Sequence, residues 1–506
     1  MRTKNSIKNI CYGLIGQTLS ILISFFARII FLRYLNEQYL GINGLFMNII
    51  NVLSLAELGV GPAIIFSLYD PLAKKDNEKV KSLMMLYKKV YIIIGSIIGV
   101  LGILITPFIG YFTKNINGVD NIHLIYVLFV INSSISYFYS YKRSLLIADQ
   151  KKFIATIYRY TFFILLNILQ SLILVFTKNY ILFLILQITC TFLENLFVAK
   201  ATDKLFPFIN ENEYKKIDNY TKNTIIKNVK AMMMHKIGGI VVGSTDNIII
   251  SKFIGIDYVG LYSNYLLIIN ALNIVTGVMF DALTASVGNL SALETEDKVE
   301  EIFNVINFLG TWIFSFISIT LFIMINPFIE LWIGSKYLFK INIVFVLVIN
   351  FFMTGMRKSV LTFRDALGLY WYDRYKAIFE ALINLILSII LARKFGIIGV
   401  FTGTIISTLT TCFWIEPYIL YKYGFRKNVK KYFMTYTKSL IITIIIGIIT
   451  YKLTKNIIGN IFFVFVIKLL LCLTIPNLII ITIYKNTKEF KYVFNIIRNI
   501  KFIKLL

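Results

Sequence analysis

The chain is poor in the residues that most soluble chemistry uses. It has 2 histidines, 4 cysteines and 7 prolines in 506 residues. It contains no His-Glu-x-x-His run, no Gly-x-x-x-x-Gly-Lys phosphate loop and no cluster of metal-ligating residues, so neither a metal nor a cofactor is expected. Cys11, Cys190, Cys412 and Cys472 all fall inside apolar runs, which implies no disulfide framework. Charged residues make up only 15% of the chain, against about 25% in an ordinary soluble domain. Acidic residues are the scarcest class: 26 against 52 basic ones, for a formal charge of +26. That balance would suit nucleic acid, but the basic residues are spread over many short segments and form no single patch, so no nucleic-acid partner is expected.

Apolar residues account for 58% of the chain, and their distribution decides the class. They come in blocks of about twenty, the length a helix needs to cross a ~30 Å hydrocarbon layer. Unpaired backbone groups are too costly in lipid, so the blocks must be helical. About fourteen such spans are expected, giving an all-α integral membrane protein. The second runs from about 42 to 68, the seventh from 229 to 251, the eleventh from 377 to 394, and a short thirteenth from 439 to 454. Met1–Asn9 is basic, and the apolar run behind it is too long for a signal peptide, so it reads as an uncleaved first helix.

About three quarters of the lysines and arginines fall in alternate segments, counted from the N-terminus, which predicts that both termini are cytoplasmic. One segment departs from this pattern: Glu294, Glu296, Asp297, Glu300 and Glu301 surround a single Lys298. Acidic residues weigh little in the orientation rule.

The sequence also repeats itself. A slide of about 219 residues lays Ile7-Lys8-Asn9 on Ile226-Lys227-Asn228, Tyr39 and Gly41 on Tyr258 and Gly260, and Asn51 on Asn270. With slips of a few residues the register continues through Pro107-Phe108-Ile109 on Pro327-Phe328-Ile329, Asn167 on Asn384, and Glu194 on Glu416. Two parallel six-helix repeats follow, related by a pseudo-two-fold along the membrane normal, with a C-terminal helix pair outside them. The expected divisions are an N-terminal lobe over 1–210, a second lobe over 211–437, and helices 13 and 14 with a tail over 438–506. Transporters built from parallel repeats bind substrate where the repeats meet and rock one against the other.

Charges within spans are expensive and therefore candidates for function. Arg28 lies about one turn from the outer end of the first span, and the repeat lays it on Asn247, beside Asp246. An arginine fork suits a phosphate group, and a carboxylate at Asp246 suits pairing with Arg28 or binding of H+ or Na+. Glu57 and Asp281 are further coupling candidates; Lys236 and Lys468 are further cationic ones, each also placed to snorkel or face lipid. Gly59, Gly61 and Pro62 interrupt the second span as a candidate hinge.

Several stretches fall in an order that resembles a known group. They are Ala56-Glu57-Leu58-Gly59, Leu68-Tyr69-Asp70-Pro71-Leu72-Ala73, Thr245-Asp246-Asn247-Ile248-Ile249-Ile250, Val259-Gly260-Leu261-Tyr262, Phe328-Ile329-Glu330-Leu331-Trp332-Ile333-Gly334 and Glu380-Ala381-Leu382-Ile383-Asn384. The chain resembles the Wzx-like oligosaccharide flippases of the multidrug/oligosaccharidyl-lipid/polysaccharide exporter superfamily. The resemblance implies a transporter, not an enzyme. Its implied substrate is an undecaprenyl-diphosphate-linked oligosaccharide, moved by alternating access from the inner to the outer leaflet of a bacterial cytoplasmic membrane, for capsule, O-antigen or related surface polysaccharide. Relatives that flip the lipid-linked peptidoglycan precursor line their cavity with basic residues of the first helix, and Arg28 resembles one of these in location. Polymerases and glycosyltransferases are the implied partners. The alternatives are a drug or cation antiporter of the same superfamily, usually of twelve helices, and a membrane polysaccharide polymerase, which usually carries a larger external loop than any seen here.

Overall fold

The computed structural model describes residues 2–57, 60–113, 119–211, 217, 225–226, 229 and 243–503. It is all-α. The chain divides into two compact units, Met1–Gly260 and Leu261–Leu506.

The first unit begins with α1 (Arg2–Tyr34), α2 (Glu37–Leu53), a 3-10 turn over Ser54–Glu57, and α3 (Val60–Lys74). It continues through α4 (Asn77–Ile105), α5 (Ile109–Phe112), α6 (Ile122–Phe138), α7 (Ser140–Ala148), α8 (Lys152–Thr177), α9 (Tyr180–Leu205) and α10 (243–253). Short polar residues set the helix starts. Asn36 accepts from the backbone N–H of Gln38 and Tyr39, Asp76 from Lys79, and Asn179 from Ile181 and Leu182. Each such cap contributes about 1 kcal/mol. Asn9, from the repeated Ile-Lys-Asn, acts across the unit: its Oδ1 accepts from Phe153 N–H at 2.7 Å, in the first turn of α8.

The second unit holds α11 (Ile256–Leu293, which begins in the first unit), α12 (Glu296–Ile333), α13 (Ile341–Ala366), α14 (Lys376–Phe395), α15 (Ile397–Thr410), α16 (Cys412–Ile419), α17 (Lys430–Lys455), α18 (Ile461–Tyr484) and α19 (Lys488–Ile503). The packing scheme of the first unit recurs here. The neighbours α4 with α6, α6 with α9 and α8 with α9 are matched by α12 with α13, α13 with α15 and α14 with α15. The C-terminal pair, α17 and α18, packs on α12. Trp312 Nε1 donates to Asn477 Oδ1 at 2.8 Å, and the Ser315 and Thr443 hydroxyls lie 2.6 Å apart.

Among the described residues ten helices are long and apolar enough to cross a membrane, or eleven if bent α6–α7 counts as one span. The expected count of fourteen is not reached by this measure, for three reasons. The second span is broken into α2 and α3, the seventh is described only from residue 243, and the eleventh is α14, which is absent from the helices that pass. The expectation of a short thirteenth span is also corrected. α17 starts at Lys430, nine residues before the apolar run, because lysines are good helix formers at a membrane boundary. Much apolar surface faces outward, as lipid contact requires: Ile93, Leu104, Phe176 and Phe463 are all exposed.

The acidic segment that departed from the charge pattern is neutralised in three dimensions. Lys427 donates to Glu300 at 2.5 Å and pairs with Asp297, while Arg426 Nε lies 3.2 Å from Glu296 Oε1. Hydrogen bonds to Asp297, then to Glu300, hold the Lys427 ammonium above its ordinary pKa. α12 is 38 residues long, about 57 Å at 1.5 Å per residue, so it outruns the hydrocarbon layer. These pairs bring its start to the same end of the unit as the segment after α16.

The repeat is visible in one contact. A Cβ built on Gly41 would lie 2.2 Å from the Ile256 carbonyl oxygen, and one on Gly260 would lie 2.3 Å from that of Glu37. Sliding Glu37 and Gly41 by the repeat length gives Ile256 and Gly260, so the contact maps onto itself when its partners are exchanged. Gly41→Ala and Gly260→Ala should each destabilise the protein by about 1–3 kcal/mol, since backbone must give way. Gly44→Ala, whose Cβ meets side-chain atoms alone, Val259 at 3.2 Å and Asn247 Nδ2 at 3.7 Å, should be better tolerated. Unfolding of detergent-solubilised protein, followed by size-exclusion fluorescence, checks the order.

Candidate functional site

The break in the second span places the first set of candidates. Glu57 ends the 3-10 turn, and its Oε2 is 3.5 Å from the Tyr137 hydroxyl. Tyr137 stacks on Tyr91 with ring centroids 6.3 Å apart. A Cβ on Gly61 would lie 3.1 Å from both Glu57 Oε1 and the Tyr91 hydroxyl, so Gly61 leaves room for this carboxylate–phenol group. Glu57 therefore sits where helical bonding lapses, joining the break to α4 and α6. Within the expected second span the structure has a 3-10 turn over Ser54–Glu57, just before the hinge candidates. Gly61 and Pro62 lie at the start of α3 as described, after that turn. Gly59 and Lys236 fall outside the described residues.

Asp246 and Asn247 are on α10. Asn247 is buried, with its Nδ2 3.7 Å from a Cβ built on Gly44 of α2. Asp246 is half-buried, and its Oδ1 is enclosed with no hydrogen-bond partner among the described residues. An enclosed carboxylate oxygen without a donor is costly, and such groups mark sites completed by a proton, an ion or a ligand. Arg28 is half-buried on α1, one turn before Phe31, whose ring packs edge-on against Tyr180 and Phe183. Asp281 is exposed on α11, and Lys468 is half-buried on α18, four residues before buried Cys472.

Among the described residues the largest buried charge cluster lies elsewhere, in the second unit. Glu416 on α16 is fully buried and accepts from Arg357 of α13 at 2.7 and 2.9 Å and from Lys376 of α14. Lys376 also donates to buried Asp373 at 3.0 Å, and Arg364 Nη1 to the same Asp373 oxygen at 2.6 Å. Glu380 lies 3.7 Å from Arg357 and accepts from the Thr408 hydroxyl at 3.3 Å. Asn384 donates to Thr404 at 3.0 Å, linking α14 to α15. The first unit has a simpler counterpart: Arg143 of α7 donates to Glu194 of α9 at 2.6 Å and to Asn195 at 3.3 Å. Glu194 and Glu416 are the carboxylates that the repeat superposes, and in each unit an arginine from the fourth span meets a glutamate on the sixth. Glu416 was legible as a repeat match. Its arginine partner was not, because Arg357 and Arg143 stand at different repeat positions.

Removing Glu416 takes the fully buried carboxylate from two cations at once and leaves Arg357 only Glu380 at 3.7 Å and Lys376 only Asp373, a loss of about 3–5 kcal/mol. Glu416→Ala should therefore lower membrane protein levels and thermal stability strongly. Glu194→Ala should cost less, because Arg143 keeps Asn195. Immunoblots of membrane fractions and melting in detergent compare the two.

No family model and no curated protein matches the chain. Solved structures do. A chain of lipid II flippase MurJ in an inward closed conformation is 16% identical, with a TM-score of 0.70 over 94% of this chain and 99% of that one. An inward-facing multidrug resistance MATE family transporter of the MOP superfamily is 14% identical, with a TM-score of 0.63 over 79% of this chain and 95% of that one. A point mutant of the Vibrio cholerae MATE transporter VcmN is 12% identical, with a TM-score of 0.56 over 85% of this chain and 99% of that one. The protein has the multi-pass fold shared by these membrane transporters.

Proposed function

We propose that the protein is a flippase for an undecaprenyl-diphosphate-linked oligosaccharide, carrying it from the inner to the outer leaflet of a bacterial cytoplasmic membrane by alternating access. The observation that supports a flippase over an antiporter is extent. The flippase chain is matched over 94% of this protein, leaving about 30 residues unmatched, fewer than the segment 430–506 that holds the C-terminal helix pair. The MATE matches cover 79% and 85%. An extra helix pair suits a substrate with a long isoprenoid tail better than a small drug.

In this reading Arg28 grips the diphosphate, whose charge must leave water for a medium where Coulomb attraction is far stronger. Asn247, Lys236 and Lys468 assist with the phosphates or sugars. Asp246, with Glu57 and Asp281 as further candidates, takes up H+ or Na+ as phosphate competes for Arg28. The break at Glu57, next to Gly59, Gly61 and Pro62, is the proposed hinge. The proposed lobes are 1–210 and 211–437, with 438–506 as a separate C-terminal element and both termini cytoplasmic.

In a strain deleted for an oligosaccharide flippase, this gene should restore surface polysaccharide. Arg28→Ala should abolish that at matched membrane levels, and Arg28→Lys should retain part of it, since charge survives while the fork is lost. Full export by Arg28→Ala would move the site elsewhere. Drug resistance without polysaccharide would favour the antiporter. Alkaline phosphatase fused after Leu506 should be inactive.

A further inference from the structure

α19 follows the membrane span α18 after a three-residue turn, Lys485–Thr487. Its start is well set. The Thr487 hydroxyl donates to the Tyr484 carbonyl at 2.8 Å and accepts from Phe490 N–H at 3.3 Å, and Glu489 stands in the first turn, where a negative charge is favoured. Its first turns are seated on the bundle. Phe490 stacks on Trp312 of α12 at 6.0 Å, with interplanar angle 19°, and meets Phe308 edge-on. One turn later Phe494 stacks on Phe490 at 6.2 Å, yet it is 57% exposed, so the apolar face continues past the protein that covers its beginning. Lys488, Lys491 and Arg498 are exposed at positions three and seven apart, along one side of the helix. Lys485 lies just before them, and Glu489 is the helix's only acidic residue.

An amphipathic helix with a basic polar face and aromatic residues on its other face is built to lie in a membrane interface. Clustered lysines and arginines beside a membrane span attract anionic lipid, each adding to the affinity. We infer that α19 docks on the anionic phospholipid surface of the membrane: Phe494, which continues the face begun by Phe490, enters the headgroup boundary, and Lys488, Lys491 and Arg498 meet lipid phosphates. Trp312 and Phe490 fix the near end of the helix, so the lipid surface orders the far end. This inference is independent of the transported substrate.

The test is hydrogen exchange of the full-length protein in nanodiscs, one set of phosphatidylcholine alone and one with about 30% phosphatidylglycerol. Amides in 491–503 should exchange roughly ten-fold or more slowly in the anionic discs, and high salt should remove the difference. The combined variant Lys488→Gln, Lys491→Gln, Arg498→Gln should exchange at the same rate in both lipids, with unchanged exchange in α12 and α13 as the folding control. Equal exchange of the unaltered protein in both lipids would overturn the inference. So would a phosphatidylglycerol effect that survives high salt or the triple substitution. If the variant misfolds, the salt titration of the unaltered protein decides alone.

Discussion

In hydrocarbon, apolar side chains gain nothing by leaving lipid for one another, so helices must be selected by close fit and by paired polar groups. This protein uses both. Gly41 and Gly260 let backbone carbonyls approach to distances no side chain permits, and a Cβ on Gly16 would lie 1.9 Å from the Tyr160 ring where α1 crosses α8. The polar counterpart is the buried ion cluster on Glu416, which ties α13, α14 and α16 together. Neither device could hold the bundle unless every helix first satisfied its own backbone.

The polar groups sort by how completely they are paired. Glu416 receives two cations and is fully buried, which suits a fixed structural role. Glu57 stands in a 3-10 turn facing the Tyr137 hydroxyl at 3.5 Å and the Tyr91 phenol, with no cation paired to it among the described residues, and Asp246 keeps one enclosed oxygen without a donor among the described residues. Groups left short of charged partners are the ones able to change protonation or ligand at modest cost, which is why the coupling role is proposed for them and not for the larger cluster.

The glutamate pairings also bear on descent from a duplicated unit. Arg143–Glu194 and Arg357–Glu416 keep the carboxylate in repeat register while the arginine has moved along its helix. A carboxylate in lipid needs a cation within reach, and a flexible arginine satisfies that from more than one turn. The second unit then adds Lys376, Asp373 and Arg364 around the same pairing.

The class of the protein was legible in the chain itself. Apolar blocks of membrane length leave the backbone no choice but helix, and a duplication that keeps Tyr-x-Gly and a glutamate in register is visible by sliding the sequence on itself. The positions of Glu57, Asp246 and Arg28 as costly intramembrane charges follow from the same arithmetic. What side chains find across helices was not legible. The acidic run Glu294–Glu301 read as an exception until Lys427 and Arg426 met it, and Arg357 drew no notice in the sequence, although Glu416 stands opposite it. A span's composition determines that it crosses the membrane, since hydration cost sums along one chain. Which faces meet depends on rotation and depth, and these are set only when neighbouring helices supply the missing partner charge or the room for a glycine.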